Sequence, residues 1–155
     1  MDYNRMLEKI LTTSEFSHLE KAKQISDDYT AMQYLEDRLV ICVTGINDCD
    51  GERIFTFIDQ RLNKFSDDGM LIHEINPINP SQTNYHSPKN RLLSPTMYCL
   101  QYYDNALKRD GLRIVLTSTP GDFLPFMVVK SENVDLLSQM KTDYWKFHKI
   151  GRAHV

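Results

Sequence analysis

Residues 39–51 read Leu39-Val40-Ile41-Cys42-Val43-Thr44-Gly45-Ile46-Asn47-Asp48-Cys49-Asp50-Gly51, an apolar, β-branched run that passes directly into a polar loop bounded by glycines. Such a run behind the charged Glu36-Asp37-Arg38 predicts a strand buried on both faces, expected at the centre of a sheet. Two readings compete for the segment after this loop. Asp50-Gly51 is a tight-turn dipeptide and makes Glu52 to Ile58 the return strand of a hairpin. Against this, Ile54, Phe57, Ile58, Leu62 and Phe65 recur at the three-four spacing of one helical face, with Asp50 placed to cap the start and Gly69 just past the end. The helix accounts for more of the segment and is the expected structure.

Downstream, Met70 to Ile75 resumes strand character and stops at Asn76-Pro77. Strand, helix, strand is a crossover unit, which implies parallel pairing. Residues 76–95 hold four prolines among Asn, Ser, Thr and Gln, a long excursion that reads as a lid, a binding loop or a disordered stretch. Thr96 to Lys108 predicts a helix with Met97, Leu100, Tyr103 and Leu107 on one face. Leu112–Thr117 predicts a third strand, Phe126–Val129 a fourth that is antiparallel and at an edge, and Val134 to Phe147 a last helix. Upstream, Met6, Leu7, Ile10 and Leu11, then Phe16, Leu19, Ala22 and Ile25, form two helical stripes, and Asp27-Asp28 opens a third stretch. The expected fold is α/β: an open, mostly parallel, doubly wound sheet with helices on both faces, preceded by an N-terminal helical segment.

The expected division is a helical segment at 1–37 packed on an α/β domain at 38–149. Ile150-Gly151-Arg152-Ala153-His154-Val155 resembles the in-frame translation of a sequencing adapter. Residues 150–155 are accordingly expected to be a non-native tail, with the domain cut short near Lys149.

The chain has 155 residues, 41% hydrophobic and 25% charged, with six Gly and six Pro, which suits one packed core and excludes a low-complexity chain. A net charge of −3 supplies no cationic surplus for nucleic acid, and Lys89-Asn90-Arg91 reads as a solvated loop. Cys42, Cys49 and Cys99 are odd in number and show no paired spacing, so neither a disulfide framework nor a zinc ribbon is expected. A reducing, cytoplasmic setting is the expectation, with Cys42 packing as a small hydrophobe and Cys49 the one candidate for reactivity. No secretory signal order and no run of about eighteen apolar residues is present, so no membrane partner is expected.

In a doubly wound sheet, ligands bind beyond the carboxyl ends of the strands. The loops after Val43, Ile75 and Leu116 therefore define the candidate ligand-binding residues: Asn47, Asp48 and Asp50 from the first, Glu74 and Asn76 from the second, Ser118 and Asp122 from the third. Oxygen groups from three strand ends suit a small molecule or a hard cation such as Mg²⁺. The same residue types also make caps and turns, which is their commoner use. As a phosphate cradle the first loop fails, because Gly45 and Gly51 are one residue too far apart and Glu52-Arg53 stands where Lys-Ser/Thr belongs. Alternation along Leu71, His73 and Ile75 makes His73 a packing histidine; His18 and His148 fall on expected helices as surface or packing residues. The tyrosines at 98, 102 and 103 read as core material, since no basic groove accompanies them.

Val40-Ile41-Cys42-Val43-Thr44-Gly45-Ile46-Asn47-Asp48 resembles the strand and GxND block of SGNH (GDSL-type) hydrolases. The resemblance implies an ester hydrolase in which Asn47 helps form the oxyanion hole, with the following helix and a strand ending in Pro77 in the family's order. It covers about ten residues of motif and, at most, forty of arrangement. The 38 residues before the run contain no Gly and so no GDS nucleophile block, and Asp143 to His148 departs from the DxxH spacing. Three classes remain: a small-molecule or divalent-metal binding domain, an SGNH-like hydrolase fragment, and a non-catalytic protein interaction module.

Overall fold

A computed structural model describes residues 2–22, 25–45, 52–79, 94–118, 123–142 and 146–150. Among them are six α-helices and one four-stranded sheet. The order is α1 (Tyr3–Ile10), α2 (Thr13–Ala22), α3 (Asp28–Asp37), β1 (Ile41–Gly45), α4 (Glu52–Asp67), α5 (Pro95–Lys108), β2 (Leu112–Thr117), β3 (Phe123–Lys130), α6 (Val134–Gln139) and β4 (Phe147–Lys149).

The strands lie in the order β1-β3-β2-β4, and every pairing is antiparallel. This corrects the expected mostly parallel, doubly wound sheet. β1 is at an edge rather than the centre, although Ile41, Cys42 and Thr44 are buried. Its faces are covered by helices: Ile41 joins a core with α1 and α3, and Cys42 joins a core with α4 and α5. A run buried on both faces needs two covering layers, and a helix-sheet-helix sandwich supplies them without parallel strands. The expected edge strand, β3, is longer than predicted and lies between β1 and β2. Finally, the expected helix at 134–147 stops at Gln139, and Phe147–Lys149 instead pairs with Val115–Thr117 as a strand.

The segment from Met70 to Asn79 joins no strand of the sheet. It is a strap laid along α5 and tied there by side chains. His73 donates its backbone N–H to Asp110 Oδ2 at 3.1 Å, and its ring Nδ1 lies 2.5 Å from Asp110 Oδ1. Arg109 Nη2 donates to the Glu74 carbonyl at 2.9 Å, and the Ile78 N–H donates to the Tyr103 hydroxyl at 2.9 Å. Ile75 and Ile78 are buried against the α4–α5 core, while Leu71 is 85% exposed. The strap thus buries apolar residues as a strand does, while three of its backbone groups are satisfied by Tyr103 of α5 and by Arg109 and Asp110 just after it. The strand-helix-strand order implied by the esterase resemblance is therefore not realised. Helix 52–67 displaces the hairpin alternative.

Two features close the sandwich. β4 covers only Val115–Thr117, and the earlier part of β2 is met by the buried carboxylate of Asp104. Asp104 accepts from the Ile114 N–H at 2.8 Å and from Arg113 Nε and Nη2 at 2.9 Å each. A charge-assisted pair here satisfies an edge that a longer strand would otherwise fill. Elsewhere, Thr12 and Glu15 make a reciprocal capping box at the start of α2: the Thr12 N–H donates to Glu15 Oε1, and the Glu15 N–H to Thr12 Oγ1. Arg61 of α4 donates to both Glu15 oxygens, at 2.8 and 3.0 Å, with its own side chain only 2% exposed. The Asp68 carboxylate accepts from the Thr13 and Ser14 N–H groups, so α2 and α4 are joined at two points.

Candidate functional site

β1 and β2 both run antiparallel to β3, so they run parallel to each other with β3 between them. Their carboxyl ends consequently fall at one end of the sheet. In the register Thr44 stands opposite Leu124 and Gly45 opposite Phe123, while Leu116 stands opposite Phe126. Two residues on from Leu116, Ser118 comes level with Leu124 and hence with Thr44 across β3. β4 also starts at this end, where the Ser118 N–H donates to the Lys146 carbonyl at 3.1 Å. The amino end of α5 reaches the same place. Ser94 caps it by accepting from the Met97 N–H, and the Thr96 hydroxyl donates to the Gly45 carbonyl.

Among the described residues, Ser118 and His148 form a side-chain polar pair at this end. Ser118 is exposed and His148 half-buried, and Ser118 Oγ lies 2.6 Å from His148 Nε2. The contact is a product of strand geometry: His148 registers with Leu116, so it is the diagonal neighbour of Ser118 on the same face. That face carries the α4–α5 core, since Leu116, Phe126 and Ile150 belong to it. Thr117 alternates to the other face, where its hydroxyl is buried without a hydrogen-bond partner among the described residues. A serine hydroxyl bonded to Nε2 can donate or accept with a ligand, and the ring can take the serine proton.

Of the expected ligand-binding residues, only Ser118 takes part in this pair. Asn47, Asp48, Asp50 and Asp122 lie outside the described residues, as does Cys49. Glu74 and Asn76 are exposed on the strap, and Glu74 sits beside Arg109 and Asp110, next to the start of β2. Six strand residues separate that end from Ser118, a span of about 20 Å. The strap begins where α4 finishes, at the far end from the carboxyl end of β1, so Glu74 is not brought to Ser118. His73, expected to be a packing histidine on a strand, is largely exposed, with a side chain held by the buried Asp110 carboxylate. His148, expected on a helix, lies on β4 instead, and sequence reasoning misses it as a partner of Ser118. Only the apolar Phe147 in front of it marks β4, and three residues carry too little periodicity to read as a strand.

Among the described residues, no three His, Cys, Asp or Glu side chains converge as a metal would require. Two adjoining grooves of about 420 and 300 Å³ share Glu8, Lys9 and Phe16 beside α1. The smaller also meets Lys130, Glu132 and Asn133, at and just past the carboxyl end of β3 and thus at the opposite end from Ser118. Both signs of charge alternate along them, as on a solvated face. No described helix is long and apolar enough to cross a membrane. No family model, curated protein or solved structure matches the chain, so its function is read from this geometry.

Proposed function

We propose that the chain binds a small, oxygen-bearing molecule at the sheet end where β1 and β2 finish, with Ser118 and His148 as its polar contacts. The observation that carries this reading is the 2.6 Å contact between Ser118 Oγ and His148 Nε2 on an accessible strand end. A pair able to donate and accept, beside the partly buried Leu124, suits a carboxylate or ester better than a highly charged ligand. The odd count of three cysteines, without paired spacing, supports the expected cytoplasmic setting. The net charge of −3 supports a partner other than nucleic acid.

The test is titration of the ¹⁵N-labelled chain with acetate, inorganic phosphate and Mg²⁺ in turn. Saturable amide shifts centred on Thr44, Thr96, Ser118 and His148 with acetate are expected. Shifts with none of the three at these positions would contradict the reading. Saturable shifts with Mg²⁺ alone would replace it with the metal-binding alternative.

A further inference from the structure

Resting on the binding site just described, we infer that Ser118 and His148 form a nucleophile–base dyad for small carboxylic esters. Three observations combine. The ring atom facing the hydroxyl is Nε2, at 2.6 Å, within the range over which a base removes a hydroxyl proton. Ser118 is exposed just beyond the last residue of β2, so Oγ is reachable from solvent, while His148 is fixed by the β2–β4 ladder on one side and Ile150 in the core on the other. The partly buried Leu124, level with Ser118 in the register and packed on the same core, offers an apolar neighbour to the acyl chain.

The chemistry closes with these two side chains and water. Ser118 Oγ attacks the ester carbonyl carbon and its proton passes to His148 Nε2. The bond to the leaving oxygen breaks as that oxygen takes the proton, releasing the alcohol and leaving acyl-Ser118. Water then attacks the acyl carbon and gives its proton to Nε2. Oγ leaves, recovers the proton, and the carboxylic acid departs. The sum is ester plus water to acid plus alcohol, with no oxidant or reductant. The serine differs from the one the SGNH resemblance implies, since it lies after the Gly45 loop rather than before it.

A serine-directed fluorophosphonate tests this on the full chain. Peptide mass spectrometry is expected to place the adduct on Ser118, and Ser118→Ala to abolish it. His148→Gln, which keeps a polar partner for Ser118, is expected to slow labelling at least 100-fold with an unchanged melting temperature. A purely structural hydrogen bond would leave labelling unmoved and lower the melting temperature instead. Absence of an adduct on Ser118 in the folded chain, or an equal rate in His148→Gln, would overturn the inference. If the adduct is absent while acetate still shifts Ser118 and His148, the dyad fails and the binding reading stands.

Discussion

Leu39 shows how a single residue carries strain in this chain. It comes directly after α3 with φ +58° and is 60% exposed, in a left-handed conformation that disfavours a side chain. The hydrogen bonds explain it: the Leu39 N–H reaches the Glu36 carbonyl and the Val40 N–H the Leu35 carbonyl, the paired bonds of a Schellman ending. α4 ends in the same way, with Gly69 at φ +97° in the equivalent place. Leu39→Gly is therefore expected to stabilise the fold by about 0.5–1 kcal/mol, read by urea denaturation. An unchanged or lower midpoint would count against this backbone geometry. At Glu15, burial is the largest influence and pushes the carboxyl up, but the Arg61 guanidinium and the Thr12 bonds together outweigh it and hold the group below its ordinary 4.5. A depressed acid contributes stability above its unfolded value, and that contribution is lost as pH falls through the folded one. The melting temperature should thus decline on acidification below 4.5, more gently in Glu15→Gln. At neutral pH the same substitution removes the charge opposite the buried Arg61 guanidinium and should cost about 3 kcal/mol.

Among the elements, the strap distinguishes most sharply between the legible and the illegible parts of the fold. Helices α4 and α5 can be read because their apolar positions repeat over several turns, and β2 and β3 because β-branched residues run together. Met70–Ile75 has the composition of a strand, and its buried Ile75 fits that reading. What decides otherwise lies elsewhere in the chain, in Tyr103, Arg109 and Asp110, which bond the backbone of His73, Glu74 and Ile78 where a neighbouring strand would otherwise do so. Local pattern contains no such information. The Tyr103 hydroxyl is pushed up to about 12 by burial and stays neutral while it accepts from Ile78. Tyr103→Phe leaves the Ile78 N–H buried and unpaired, so a loss of about 2 kcal/mol is expected. Amide exchange at Ile78 should quicken in that variant; exchange at the wild-type rate would show that another group holds the strap.

For the molecule as a whole, the apolar run buries Ile41 and Cys42 on opposite faces, as a strand covered on both sides requires, yet burial says nothing of strand direction. The doubly wound expectation depends on Met70–Ile75 being the next strand. Removing it leaves β1 and β2 parallel in direction but separated by β3, a strand expected at the edge. The loops sought at strand ends thereby divide: Ser118 remains at the end where β1 and β2 finish, while Glu74 and Asn76 leave with the strap. His148 enters the site only because a three-residue strand, invisible to periodicity, returns beside β2. Strand order is thus the claim on which the site depends. Cross-strand proton contacts measure it directly in the labelled chain. The expected result is Hα–Hα contacts at alternate registered pairs along 41–45 with 123–127 and along 112–116 with 126–130. Backbone contacts running directly between β1 and β2, with none from either to β3, would contradict it.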